Sequence, residues 1–429
     1  MSQSKISRRR LLTSAAAAAG GVGFMGPWAH NRVYAQATAK PIKIGITSDA
    51  SGQYANSGAE DRRGMMMAIA EANAKGGVLG RKIETFHLDT ETTPATGSRV
   101  AERMITRENC GFLIGAIHSG VANAISQVAQ KYGVIYLNTN SSAPSEAGQN
   151  CHRVKFVWDA NGSNFSKAAV KAAVEKFGKK WVLLTNDYVW GHSTAAATKN
   201  LLRNYGGQMV EEILVPQGTR DFSSQLLKIQ QINPGVVSAA IGGDDLKAMR
   251  QQIAQLKMGD KPAWINNQQD WADVYGLPLD NLFGVFGTTW YYNLDLPGVS
   301  DFVKRYQAMY PDTYMKVPGN VFYNGYWATR ELFAAIERAG STNNIKVIKQ
   351  LENLKVSARD RMQHHDAWMD PNTHQMQQTI YLATANVGTK DPDDMFKILG
   401  NSAPKDVMDV DSAPACKLET YEATSTFDA

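Results

Sequence analysis

From Pro41 the chain alternates short apolar runs with longer stretches in which apolar residues recur at helical spacing. IKIGIT (42–47) leads to GAEDRRGMMMAIAEANAK, KIETFHLD to PATGSRVAERMITREN and FLIGAI to GVANAISQVAQKY, and VIYLNT closes the series. Runs of four to eight β-branched and apolar residues between amphipathic helical segments mark βαβ units. Such units build a parallel sheet with helices on both faces. A second series follows: WVLLTND, GHSTAAATKNLLRNYG, QMVEEILVP, DFSSQLLKIQQIN, GVVSAAIG, DDLKAMRQQIAQLKM and PAWINN. The fold class expected is therefore α/β, two doubly wound parallel-sheet lobes. From Val299 the stretches VSDFVKRYQAMY, NVFYNGYWATRELFAAIERAG and NNIKVIKQLENL read as helices, with HHDAWMDPNTHQMQQ and IYLATANVG as a hairpin and a late strand.

Open parallel sheets bind ligands beyond the carboxyl ends of their strands, against loops and helix N-termini. The residues just after each expected strand are thus the candidates. GAIHSG (115–120) sets His118 beside Ser119, but the G-x-S-x-G spacing of a nucleophile elbow is absent. Adjacent residues on an extended segment point to opposite faces, which argues against a Ser119–His118 catalytic pair. Ser119 instead suits an anion cradle, its hydroxyl joining the free N–H groups of a helix beginning at Gly120. The next strand ends in Asn138-Thr139-Asn140-Ser141-Ser142-Ala143, a second polar turn beside the first. Helix capping by Ser119 and Ser142 accounts for the same hydroxyls equally well. His118 either faces the cleft and tunes ligand choice or packs behind it.

In the second series TNDYVWGH (185–192) brings Tyr188 and Trp190 to a strand end, and Thr288-Thr289-Trp290-Tyr291-Tyr292 follows another. Such aromatics wall an apolar ligand or fill a core. GGDD (242–245) lacks any nucleotide-binding context. His364, His365, Asp366 and His374 show no metal-ligand spacing and flank a turn at Asp370-Pro371-Asn372. With no Walker A, G-x-G-x-x-G or H-E-x-x-H motif, no catalytic residue, cofactor or metal is expected.

Composition changes this picture in two places. The first 37 residues have a basic start, an Ala/Gly-rich middle and a small-residue end, the pattern of an export signal. Ser7-Arg8-Arg9-Arg10-Leu11-Leu12 is similar to the twin-arginine pattern, and Ala35-Gln36-Ala37 offers a cleavage point after Ala35 or Ala37. A periplasmic protein is expected. The leader carries Lys5, Arg8, Arg9, Arg10 and Arg32 among the 45 basic residues and none of the 40 acidic ones, so the remainder is balanced. Nothing in that balance favours nucleic acid or an anionic membrane. Three cysteines, Cys110, Cys151 and Cys416, allow one disulfide and one thiol in an oxidising compartment, and their spacing does not select the pair.

GITSDASGQYANSGAEDRRGMMMAIAEANAKGGVLGRKIE, FLIGAIHSGVANAISQVAQKYGVIYLNTNSSAP, NDYVWGHS and TRDFSSQLLKIQ together resemble the periplasmic leucine/isoleucine/valine-binding proteins, type I solute receptors of ABC importers. The resemblance implies two lobes joined by a three-crossover hinge near Trp158, near Trp290 and at 358–366. It places the first lobe at 38–158 with 291–360, the second at 159–290 with 361–400, and a tail at 401–429. It puts Ser119 on the ligand carboxylate and Asn140 with Ser142 in the clamp around its α-carboxylate and amine, with Ser141 between them a further ligand-binding candidate. Tyr54 and Ser57 then face the ligand from the first loop, and Tyr188 and Trp190 from the second lobe. Where amino-acid receptors carry a glutamate for the ligand ammonium, this chain reads Asn266-Asn267-Gln268-Gln269-Asp270-Trp271, and Gly242 stands where an aromatic hydroxyl is often found. A zwitterionic ligand then needs Asp187, Asp244 or Asp270 as its partner, so a carboxylate-bearing organic or aromatic acid is expected ahead of a branched-chain amino acid. The chain also resembles a branch of these receptors associated with such acids, which implies a Cys151–Cys416 disulfide. The partners implied are a small solute and permease subunits, with the receptor itself a monomer. A sensor feeding a membrane signalling protein, and a Ser119-dependent amidohydrolase, are the rival readings.

Overall fold

The computed structural model describes residues 40–424. The export signal expected over 1–37 lies outside the described residues. Strands β1 (Ile42–Ile46), β2 (Ile83–His87), β3 (Phe112–Gly115), β4 (Ile135–Asn138) and β5 (Lys155–Val157) alternate with helices α1 (Ala55–Ala74), α2 (Pro94–Thr106) and α3 (Ser119–Tyr132). They form one parallel sheet in the order β2-β1-β3-β4-β5. Every residue of β3 and β4 is buried, which is why these strands read as unbroken apolar runs rather than as alternations.

The second lobe runs through α4 (Gly162–Phe177), β6 (Lys180–Asn186), α5 (Val189–Asn204), β7 (Gln208–Val215), α6 (Ser223–Ile232), β8 (Val236–Ala240), α7 (Gly243–Gln255), β9 (Ala263–Asn266), α8 (Trp271–Val274) and β10 (Val285–Thr288). The chain then returns to the first lobe as α9 (Val299–Met309), α10 (Asn320–Ala339) and α11 (Asn344–Glu352). Helix α10 lies so close to α1 that a Cβ on Gly64 would stand 2.1 Å from the carbonyl oxygen of Phe322. Only glycine permits that approach.

Residues 355–377 make a small antiparallel sheet of β11 (Lys355–Val356), β12 (Ala367–Met369) and β13 (Met376–Gln377), with α12 (Ala358–Arg361) after its first strand. The expected hairpin is thus the β12–β13 pair, and Gln375 also bridges in parallel to Val157 of β5. The late strand is β14 (Ile380–Ala385), followed by β15 (Phe396–Ser402) and α13 (Pro404–Val407). The second sheet runs β15-β14-β10-β9-β8-β6-β7, with β14 antiparallel to both β10 and β15 and the remaining pairs parallel.

Three crossings join the lobes and are bonded to one another. Gln378 Nε2 donates to the carbonyl of Trp158 (2.8 Å) and Gln363 Nε2 to that of Thr289 (2.7 Å). The buried Arg361 guanidinium lies 5.4 Å from the Trp158 ring and 5.1 Å from the Tyr323 ring. Cys151 and Cys416 form a disulfide with a Cα–Cα distance of 5.5 Å, leaving Cys110 free and buried. No helix among the described residues is long and apolar enough to cross a membrane.

Candidate functional site

The strand ends of the two lobes face each other across a cavity of about 20 Å³. The first lobe lines it with Tyr54 after β1, Ile117 after β3, and Asn140 and Ser142 after β4. The second lobe contributes Tyr188 and Trp190 after β6, Gly242 after β8, and Gln268, Asp270 and Asp273 after β9.

The lobes are closed on each other, and polar pairs span the gap. The Tyr54 and Tyr188 hydroxyls stand 2.6 Å apart. Ser142 Oγ donates to Gln268 Oε1 (2.6 Å), and Ser57 Oγ to Asp273 Oδ1 (2.8 Å). Gln53 Nε2 donates to the carbonyl of Gly242 (3.0 Å) and to Asp245 Oδ2 (3.0 Å). Asn320 Nδ2, from α10, donates to Asp270 Oδ1 (2.7 Å). His118 stacks on Tyr188 with ring centroids 4.5 Å apart, and its Nε2 lies 2.8 Å from the Gln217 side-chain amide.

The electrostatics are acidic. Asp270 and Asp273 are both buried, and no lysine, arginine or histidine lines the cavity. Burial pushes the Asp273 carboxyl up to about 7, helped by the neighbouring Asp270 charge and opposed by bonds from Ser57 and the Gly243 N–H. Asp270 is likewise raised by burial, against bonds from Asn320 and Gln268. Gln268 Nε2 donates both to Asp270 Oδ1 (3.2 Å) and to Asp159 Oδ2 (2.8 Å) in the first hinge crossing. Burial, then the Asp270 charge, raises Asp159 well above the usual carboxylate range. Burial away from solvent penalises the charged carboxylate and so raises each of these groups.

The expected cradle at the β3–α3 turn is occupied from within the protein. The Ile117 N–H donates to the buried Asp49 carboxylate (3.3 Å), which also accepts from the His118 backbone. Ser119 is the first residue of α3 and accepts at Oγ from the Ala143 N–H (3.2 Å). His118, not Ser119, caps the helix, accepting at Nδ1 from the Val121 N–H (3.2 Å). Burial drives the His118 ring down to about 4, so it is neutral. It contacts the second lobe through Tyr188, a hybrid of the two placements the sequence left open.

Other candidates stand outside the cavity. Ser141 is spent on Asn138 and Glu146 inside the first lobe. Asp187 is on the surface, paired with His192 at 2.7 Å. Trp290 lies in the hinge, stacked 4.8 Å from Tyr323. Ser57 touches the site through Asp273. His364 bonds Tyr381, His365 bonds Asn401, and the buried His374 bonds Glu352 and the Lys155 carbonyl. Among the described residues no group of three or more His, Cys, Asp or Glu could hold a metal. Sequence reasoning missed Ile117 and Asp273. Asp273 was within reach of it, three residues after Asp270 and so on the same face of a helical turn.

A family model described as periplasmic binding protein matches residues 41–391. Leu/Ile/Val-binding protein homolog 7 of Brucella suis biovar 1 is 30% identical over 292 residues, 63% of this chain and 71% of that relative. Among solved structures, a periplasmic binding protein from Burkholderia mallei is 24% identical with a TM-score of 0.80, covering 88% of this chain and 98% of that one. An ABC-transporter solute-binding protein from R. palustris in complex with benzoate is 22% identical with a TM-score of 0.76, covering 88% of this chain and 100% of that one. At those identities the two structures share the fold with this chain.

Proposed function

Because the chain belongs to the periplasmic binding protein family, we propose that it is the periplasmic receptor of an ABC importer, capturing a small solute by lobe closure and presenting the closed form to permease subunits. The observation that carries this reading is the cavity at the strand ends, lined from both lobes and bridged by hydrogen bonds that exist only while the lobes are together. A ligand touching both linings shifts the open–closed equilibrium by its extra contacts in the closed state. A Ser–His catalytic pair has no support at this site, because Ser119 bonds the Ala143 N–H and the Glu146 carboxylate while the His118 ring bonds the Val121 N–H and the Gln217 amide. The leader is read as the twin-arginine route to the periplasm.

The solute is read as one that carries an ammonium group, an amino acid ahead of a free organic acid. Asp270, one of the carboxylates the sequence offered to a ligand ammonium, lines the cavity, and Asp273 lines it too; both support this reading. A buried anion facing two carboxylates is costly, whereas an ammonium partner favours their charged forms. Ser142 would take the carboxylate end, with Tyr54, Tyr188 and Trp190 against the apolar part, while Asn140 lines the cavity with its amide bonded to Asp61 and the Val321 carbonyl and its backbone N–H to Ala116. The leucine/isoleucine/valine-binding name of the Brucella relative agrees with this choice. An aromatic acid is the second reading, favoured by the three aromatic walls, by the buried and unpartnered Trp190 indole N–H, and by the benzoate held in the R. palustris structure. It requires Asp270 and Asp273 to hold their protons.

Calorimetry with leucine, phenylalanine, benzoate and 4-hydroxybenzoate, on the native protein and on Asp270→Asn, separates the two. Amino-acid binding lost in Asp270→Asn supports the ammonium reading. Binding of benzoate alone, retained or strengthened in that variant, overturns it.

A further inference from the structure

Residues 404–424, the last described, do not belong to either lobe alone. Helix α13 packs on α4 of the second lobe, where Val407 is buried with Ala160, Phe165 and Ile380. Asn164 Nδ2 donates to the Val407 carbonyl (2.7 Å), and Lys167 Nζ to that of Met408. The chain next passes the first hinge crossing, where Asn161 Nδ2 donates to Asp409 Oδ2 (3.3 Å). It then reaches the first lobe at the Cys151–Cys416 disulfide.

Beyond the disulfide the anchors are all on the first lobe. Glu419 accepts from the Arg153 N–H (2.7 Å), and its carboxylate lies 2.6 Å from His152 Nδ1. Tyr421 donates to Glu352 of α11 (2.5 Å), with the Arg153 guanidinium 4.5 Å from its ring. Residues 409–415 thereby bridge the lobes beside the cleft. With Pro144 to Asn150 of the first lobe and α5 of the second they line a groove of about 770 Å³, which shares Tyr188 with the ligand cavity.

We infer that the C-terminal tail is a disulfide-locked strap, a fourth connection between the lobes that limits how far they open. The three hinge crossings are single backbone segments, after β5, after β10 and before β14, and permit rotation. The strap adds a tie whose ends are fixed on opposite lobes, α13 on one and Cys151 on the other. Only the seven residues 409–415 separate Met408 from Cys416, so wide opening must stretch a segment now folded as a turn and a short 3₁₀ helix, Ala413–Ala415. Such a tie holds the ligand-free protein nearer the closed form, and a ligand then has less of the closing equilibrium to supply. The inference rests on the reading of the protein as a receptor whose lobes open and close.

The test measures the distance between spin labels on Lys131→Cys and Lys247→Cys, on the exposed sides of α3 and α7, in a Cys110→Ser background, with the native disulfide formed before labelling. Three versions are compared without added solute: the labelled protein as it stands, Cys151→Ser with Cys416→Ser, and one with four Gly/Ser residues inserted between Val410 and Asp411 and the disulfide intact. A longer mean distance in the second and third supports the strap. The same distribution in all three, broad enough to show open and closed forms, overturns it. A single narrow distance that no version and no solute changes means the receptor reading itself has failed. Should the disulfide-free version not fold, the lengthened strap decides.

Discussion

Replacing Tyr188 with Phe removes one hydroxyl from a pair that meets only when the lobes close. In the closed form Tyr54 is 4% exposed and its hydroxyl lies 2.6 Å from that of Tyr188. In an open form each phenol meets water. The variant leaves the Tyr54 hydroxyl buried without its partner, at about 1–3 kcal/mol, a cost that falls on the closed state alone. At about 1.4 kcal/mol per factor of ten, the apparent affinity for solute drops roughly 5- to 150-fold. The ring of Phe keeps the stack on His118, so packing changes little. Tyr54→Phe loses a comparable factor, but the double variant removes donor and acceptor together, and its affinity returns to within a few-fold of the native value. Calorimetry on the four proteins reads the cycle, with ligand-free melting curves as the control for general damage. Single-variant losses under twofold, or a double variant whose loss is the product of the two single losses, refute the reasoning.

Asp273 makes binding pH-dependent. Its folded carboxyl holds a proton up to about 7, so capture of an ammonium-bearing solute releases that proton, and affinity rises as pH climbs through about 7. Calorimetry in buffers of different ionisation enthalpy detects the release, and proton uptake instead would point to an acid ligand. Gly191→Ala sets a Cβ 1.9 Å from the Asn186 carbonyl oxygen at the start of α5, and is expected to destabilise the protein by about 1–3 kcal/mol, read as a lower denaturant midpoint. Cys110 is buried, and burial pushes its thiol up to about 12. Iodoacetamide at pH 8 should leave it unlabelled in the native protein and modify this one residue after unfolding without reductant. Labelling of the folded protein would show that the first lobe opens locally around β3.

The architecture was legible because both signals it depends on are local. Apolar runs such as FLIG and IYLN are buried on both faces wherever they sit in a parallel sheet, and the intervening helices show their own period. One strand escaped that reading: FKILGNS of β15 is mostly exposed and carries no apolar run. The Cys151–Cys416 pairing came through resemblance to a family, since spacing left it open.

The site divides in the same way. That ligand chemistry belongs at the strand ends follows from the order of elements, whereas Tyr54, Gln268 and Asp270 entered only through the family resemblance; these three line one cavity together with Asn140, Ser142, Tyr188, Trp190 and Gly242. Which donors remain free there depended on residues far along the chain. Asp49, 68 residues before Ile117, takes the turn that seemed open for a carboxylate. Ala143 takes Ser119. The sequence by itself determined the two lobes, the edges at which they face each other and the polar and aromatic character of those edges, because each is set by neighbours within a few turns. Only the tertiary structure decided which hydrogen-bonding groups were already satisfied and that Asp270 and Asp273, neighbours on one turn by sequence, are both buried, because desolvation and hydrogen-bond saturation are properties of the closed packing, made by segments that sequence distance keeps apart.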